Sequence, residues 1–193
     1  MLARDFYQRT TEVVARDLLG KLLLRFHPDG VSALRLTEVE AYLGIDDPAC
    51  HTYGSRRTPR TETMWGEAGH AYVYLVYGLH SCLNVVTVGS GRPEAVLIRG
   101  GVVEEGMQLV RSRRGSNVGE GLLTNGPGKL SQALAITRGD DGVDLCSPDS
   151  ALRICDDGVD VPESQVQRLP RVGVDYAGEA ASWPLRLVTS SKV

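Results

Sequence analysis

Glu38 and Glu40, two residues apart in the stretch TEVEAYLG at residues 37–44, are the carboxylates best placed by type and spacing for acid–base chemistry. Leu36, Glu38, Glu40 and Tyr42 alternate with Thr37, Val39, Ala41 and Leu43, a pattern that predicts a β-strand carrying both carboxylates on one face. Alone, this is also the pattern of a solvated strand face, where most glutamates lie. The neighbouring residue types favour chemistry at Glu40. Tyr42 follows two residues on, His51 lies in the next loop, and Tyr72 and Tyr74 share a face of another expected strand. A carboxylate beside aromatic faces fits a pocket for a flat ring, with the acid placed to act on a group attached to that ring. Tyr72 itself reads as an ordinary sheet residue, since aromatics are enriched in strands. Glu38, ~7 Å from Glu40 along the strand, is given no catalytic role.

Tyr77 ends its strand in Tyr77-Gly78-Leu79-His80, where a tight turn would expose a large ring at a hairpin tip. An aromatic protruding beside Leu79 has the form of a minor-groove wedge. Arg56, Arg57 and Arg60 in SRRTPRT read either as a solvated loop or as a set of phosphate contacts. The spacing of a P-loop fails around GPGKLS, although free backbone amides at a helix start are able to hold one phosphate. The four histidines and four cysteines form no zinc-hydrolase, zinc-deaminase or zinc-finger pattern. Reduced structural thiols and no metal or other cofactor are expected.

The elements that position these residues follow from periodicity and turn signals. Thr10 or Thr11 is the expected cap of a helix carrying Val13, Val14, Leu18 and Leu19 and stopping at Gly20. Residues 21–27 and 33–43 flank Pro28-Asp29-Gly30 as a hairpin. Residues 45–67 form a long polar loop, more often functional than idle. Strands are expected over 70–77, 82–88 and 95–100, a short helix over 103–110, and a helix over 126–136 with Leu130, Ala133 and Leu134 inward. Short strands at 151–155 and 184–189 complete the pattern. With 193 residues, 42% of them hydrophobic, a single domain over 1–193 is the default. No apolar run reaches the ~20 residues of a membrane span and the start is charged, so a cytoplasmic protein with no membrane partner is expected. The net charge of −3 divides into +1 over residues 1–114 and −4 over 115–193, which argues against an indiscriminate nucleic-acid binder.

TEVEAYLG, CHTYG around His51, RTPR, YVYLVYGLHSCLN, AVLIRG, GPGKLSQALAI, and RVGV followed by PLRL together resemble the alkyladenine DNA glycosylase family, also called methylpurine or 3-methyladenine DNA glycosylases. The matching segments run in family order through residues 18–187. The resemblance implies an α+β fold: a single mixed domain with a curved antiparallel β-sheet, flanking helices and a protruding β-hairpin. It implies a monomeric base-excision-repair enzyme that flips a damaged purine from double-stranded DNA and hydrolyses its N-glycosidic bond. By the same resemblance Glu40 is the general base, and Arg99 with the backbone carbonyl of Val172 positions the water. Tyr42, His51 and Tyr74 sandwich the base, and Asn84 disfavours the guanine amino group. Tyr77 enters the duplex by the same resemblance; Leu79 beside it at the tip is expected to join it, and Arg56, Arg57, Arg60 and Lys129 are expected to face the DNA backbone from their own positions. No lysine stands at an obvious nucleophile position, so a monofunctional enzyme is expected. Two other readings share these residues. A hydrolase of free nucleosides would use the carboxylate and ring clamp but not the hairpin tip, and a single-strand binding module would stack bases on Tyr72 and Tyr74 and give Glu40 no task.

Overall fold

The computed structural model describes residues 1–190. Its sheet is built along the strand that carries the two glutamates. β2 (Gly30–Tyr42) pairs through its first half with β1 (Leu22–His27), through residues 38–40 with β8 (Arg186–Thr189), and along its other edge with β5 (Arg92–Glu105). β5 pairs with β4 (His80–Gly89) and β4 with β3 (Ala71–Val76), while β6 (Leu152–Cys155) lies on β1 and β7 (Val166–Leu169) on β8. All pairings are antiparallel within one eight-stranded sheet, and the fold is α+β as the sequence predicts. Among the described residues no helix is long and apolar enough to cross a membrane.

Alternation along the central strands divides the sheet into two faces. Val39, Ala41, Val73, Leu83, Val85, Val96 and Ile98 point into the main core, where α2 (Thr11–Leu18) and α4 (Pro127–Ala133) contribute Val14, Leu18 and Leu130. Tyr42, Tyr72, Tyr74, Val86 and Ala95 point the other way, into a smaller cluster closed by Cys50 and Met64 from the polar loop. That second face carries the candidate chemistry.

A bulge decides which residues share it. The β2–β5 register passes from Leu36↔Gly101 to Glu38↔Gly100 to Val39↔Ile98, skipping Thr37 on one strand and Arg99 on the other. Bulges re-aim side chains and recur beside active sites. Here the shift puts Leu36 in the core with Val39, correcting the alternation that placed Leu36 beside the glutamates, and leaves Glu38, Glu40 and Tyr42 together. Gly101 permits it, because a Cβ there would sit 2.7 Å from the Arg35 carbonyl.

Other expectations also shift. The helix expected from residue 103 begins only at Met107 (α3, Met107–Arg114), because β5 continues through Glu105. Gly106 makes the corner at φ 75°, with no room for a Cβ against the Val31 carbonyl. Thr10 occupies the cap position of α2 without a side-chain capping bond, and the Thr11 hydroxyl bonds Thr87 and Glu94 instead. Val13, expected with the buried residues of that helix, is exposed. The short helix α1 (Arg4–Tyr7) and strand β7 gave no readable periodicity.

The β3–β4 hairpin protrudes as expected. Tyr77 and Gly78 have φ of 53° and 70°, and the Leu79 N–H donates to the Val76 carbonyl at 3.1 Å. Two successive left-handed residues are the φ signature of a type I′ turn, where Asn-Gly is preferred and a bulky first residue is strained. Tyr77 is nevertheless 92% exposed at this tip and Leu79 78%.

Candidate active site

A cleft of about 380 Å³ opens on the second face of the sheet. Its floor is made by side chains of neighbouring strands: Tyr74 from β3, Cys82 and Asn84 from β4, Leu97 and Arg99 from β5, and Tyr42 at the end of β2. The polar loop supplies His51 and Arg60 to one wall, the segment after β7 supplies Val172 and Tyr176 to another, and Tyr77 stands at the rim.

Glu40 lies directly beneath this wall, with no exposed surface. Its Oε1 accepts the Val172 N–H at 2.7 Å and its Oε2 accepts the Tyr42 hydroxyl at 2.9 Å. Arg99 Nε stands 3.4 Å from Oε1. Burial pushes the Glu40 pKa above the ordinary glutamate value, and Arg99, the Val172 amide and the Tyr42 hydroxyl only partly offset it. The outcome is a carboxylate held in place by donors yet poorly solvated as an ion, which strengthens it as a base. The three groups that hold it all line the cleft, so the acid and the cavity share one wall. The sequence assigns Val172 a role through its carbonyl; the structure adds its amide as an anchor of Glu40.

His51, Tyr72 and Tyr74 meet at the cleft. His51 presents its ring to Tyr74 at a centroid distance of 4.6 Å and an interplanar angle of 80°, and its Nδ1 shares a hydrogen bond of 2.9 Å with the Tyr72 hydroxyl. Burial, with the charges of Arg60 and Arg56 adding to it, pushes the His51 pKa down to about 4. His51 is therefore a neutral ring at physiological pH. Asn84 is buried and donates from Nδ2 to the Tyr72 carbonyl at 3.0 Å, which fixes its amide at the cleft.

The basic residues divide. Arg57 is held by Glu62 through two hydrogen bonds of 2.9 and 2.5 Å, an arrangement different from an open phosphate clamp. Arg60 lies over the Tyr74 ring, 5.0 Å from its centroid, and belongs to the cleft wall. The Arg56 side chain makes no ion pair among the described residues. Lys129 reaches Asn125 at 2.9 Å and borders a second hollow that also touches Tyr77 and His80. α4 has seven residues and begins at Pro127, which has no N–H to offer.

Two features escaped the sequence reading. Arg171 and Asp47 form a fully buried pair, Nη1 to Oδ2 at 2.5 Å and Nη2 to Oδ1 at 2.8 Å, with the guanidinium 4.8 Å from the Tyr42 ring centroid. This pair fastens the Val172 segment to the loop after β2. The second is Glu38, whose Oε1 accepts both Arg99 Nε at 2.9 Å and Arg186 Nη1 at 3.0 Å. Neither had a periodic signal, because the partners lie 61 to 148 residues apart in sequence.

A sequence model of the methylpurine-DNA glycosylase family matches residues 5–192. Two relatives, each named "Putative 3-methyladenine DNA glycosylase", are similar over nearly their whole length. The one from Bdellovibrio bacteriovorus is 46% identical over 186 residues, covering 96% of this chain and 93% of its own. The one from Methanocella arvoryzae is 48% identical over 186 residues, covering 96% and 90%. The chain, matched almost throughout, belongs to the methylpurine-DNA glycosylase family. The chain is a DNA N-glycosylase, a hydrolase of N-glycosyl bonds whose substrate is DNA.

Proposed function

We propose that this enzyme flips alkylated purines out of duplex DNA and hydrolyses the N-glycosidic bond with a water activated by Glu40, leaving an abasic site. The observation that carries this reading is the buried Glu40 carboxylate, its pKa raised by burial and its two oxygens fixed by Val172 and Tyr42 under the cleft wall. Ionised carboxylate oxygens have further lone pairs free, so each can still accept a proton from water. Arg99 and the Val172 carbonyl hold that water against the sugar C1′.

Tyr42 faces one side of the flipped base, and His51 with Tyr74 faces the other. Neutral His51 and two tyrosines make an electron-rich slot that favours a cationic alkylpurine by ~0.5–2 kcal/mol over a neutral ring. Such a base is already a good leaving group, so a water-activating carboxylate suffices without a nucleophilic lysine and the enzyme acts as a monofunctional glycosylase. The fixed Asn84 amide opposes the guanine amino group. 3-Methyladenine and 7-methylguanine are the first substrates in this scheme, with 1,N6-ethenoadenine and hypoxanthine as further candidates. Flipping costs a few kcal/mol and less at a damaged pair. Tyr77 and Leu79 fill the vacated space in the minor groove, while Arg56, Arg60 and Lys129 meet the backbone and Arg57, held by Glu62, does not. The chain works as one domain and as a monomer.

Hydrolysis of free nucleosides is the rival reading. The strained, exposed Tyr77 tip favours the duplex, because strain of this kind persists where function uses it. The test is base release from duplex oligonucleotides carrying each lesion, with chelator present, beside the corresponding free nucleosides. Excision of an alkylated purine from the duplex, with the nucleosides left intact, is the expected result. Cleavage of nucleosides at comparable rates would overturn the duplex reading.

A further inference from the structure

Glu38 shares the cleft face with Glu40 and stands only 19% exposed at its side chain, so two carboxylates lie side by side in a poorly solvated region. Arg99 sits between them, and its Nε is closer to Glu38 than to Glu40, 2.9 against 3.4 Å. The same Glu38 oxygen also accepts from Arg186 on β8. Gly100, directly opposite Glu38 in the register, leaves the space its side chain occupies, since a Cβ there would lie 3.3 Å from the Glu38 Cβ. The bulge that skips Arg99 sets this meeting. Among the described residues the terminal nitrogens of Arg99 have no hydrogen-bond partner, although the residue lines the cleft.

We infer that Glu38 is a positioning residue for the hydrolysis: it takes the shorter hydrogen bond of the Arg99 Nε edge and leaves Glu40 only the longer 3.4 Å contact, so that the terminal nitrogens face the substrate and the Glu40 carboxylate is only partly neutralised. The inference rests on the reading of Glu40 as the general base. With the tether removed, Arg99 is drawn to the remaining carboxylate, because an opposite charge within ~4–6 Å favours the ionised form. A carboxylate neutralised in this way is a weaker base.

The groups that face Glu40 are Glu38 and Tyr42 on its own strand, Arg99 on β5, Tyr74 on β3, Cys82 on β4 and Arg171 with the Val172 amide on the segment after β7. Arg186 on β8 completes them, since it pairs with Glu40 in register. Loss of the Glu38 charge and approach of Arg99 both lower the Glu40 pKa. The acidic limb of the reaction, where Glu40 loses its proton, therefore moves to lower pH while the plateau rate falls.

The test is single-turnover excision of 7-methylguanine from duplex DNA across pH, comparing wild type with Glu38→Gln, Glu38→Asp and Glu40→Gln. N7-methylation gives the base a fixed positive charge, so the acidic limb reports the enzyme's base. The expected result is a Glu38→Gln plateau rate lower by about tenfold, a part of the ~10²–10⁴ that full acid–base assistance contributes. Its acidic limb shifts to lower pH, its lesion-duplex affinity is unchanged, and Glu38→Asp, which keeps the charge, recovers part of the rate and the wild-type limb. A lower rate with an unshifted pH profile, or with lesion affinity lost in parallel, would overturn the inference. So would a Glu38→Gln enzyme equal to wild type while Glu40→Gln is inactive. Full activity in Glu40→Gln would instead bring down the general-base reading itself.

Discussion

At the scale of single residues, the site depends on burial acting in opposite directions on two groups. Glu40 is buried and its pKa is raised; His51 is buried and its pKa is lowered to about 4. The imidazole must be neutral to fold in place, so the unfolded chain binds more protons than the native one between pH about 6.5 and about 4. Stability contributed by His51 is present above that window and is lost as pH falls through it. Urea denaturation at several pH values should show this slope in wild type and a flatter one in His51→Gln. The buried Arg171–Asp47 pair makes a second residue-scale prediction. Arg171→Ala leaves Asp47 unpaired in the interior, and breaking such a pair costs ~3–5 kcal/mol. Thermal unfolding should register that loss, and because Val172 loses its anchor, excision should fall even at temperatures where the variant is folded.

At the scale of elements, the hairpin and the bulge place chemistry where local propensity alone would not. A type I′ turn accepts asparagine at the position Tyr77 occupies, whereas a bulky side chain at positive φ costs on the order of 1 kcal/mol. Tyr77→Asn is therefore expected to raise stability by about that amount and to reduce excision from duplex DNA, with temperature melts and single-turnover rates as the readouts. A variant that loses stability together with activity would show that Tyr77 serves packing instead. The strand carrying Glu40, the tyrosine strand and the exposed hairpin tip were legible in the sequence because alternation and turn residues encode them locally. The parity shift at Leu36 was not legible. It arises from a bulge shared by β2 and β5, and a period-two pattern read on one strand cannot report a register set by its partner. The late start of α3 has a similar origin, since β5 continues along β2 beyond the point where helix-compatible residues begin.

At the scale of the whole molecule, the arginines do more internal than external work. Arg4, Arg25, Arg35, Arg99, Arg171 and Arg186 are all held by carboxylates of the protein, whereas Arg60 at the cleft wall, Lys129 at the second hollow and Arg56 in the polar loop make no ion pair among the described residues and are taken as the phosphate contacts. Three neutralised phosphates give a slope of log affinity against log salt of roughly −3, shallow for a DNA-binding protein. A salt titration of binding to undamaged duplex checks it. Residues that cluster in sequence motifs come together at the cleft, with Tyr42, Tyr74 and Tyr77 lining it and Glu40 bonded to Tyr42 beneath. The sequence reading missed the Glu38–Arg99–Arg186 cluster and the Arg171–Asp47 pair, because only the closed sheet brings these residues together. The proposed hydrolysis depends on one carboxylate. The most direct measurement is rapid-quench, single-turnover excision of 7-methylguanine from duplex DNA by Glu40→Gln at pH 8, with lesion affinity and thermal stability measured on the same preparation. A raised folded-state pKa means that ionised Glu40 costs stability as pH rises through it, so the neutral glutamine should be no less stable than wild type. Its amide still accepts from Val172, and the Tyr42 hydroxyl can turn to accept the other hydrogen bond. The predicted result is a rate lower by ~10²–10⁴ with affinity and melting temperature retained. A rate within a few-fold of wild type would contradict the assignment of Glu40 as the base.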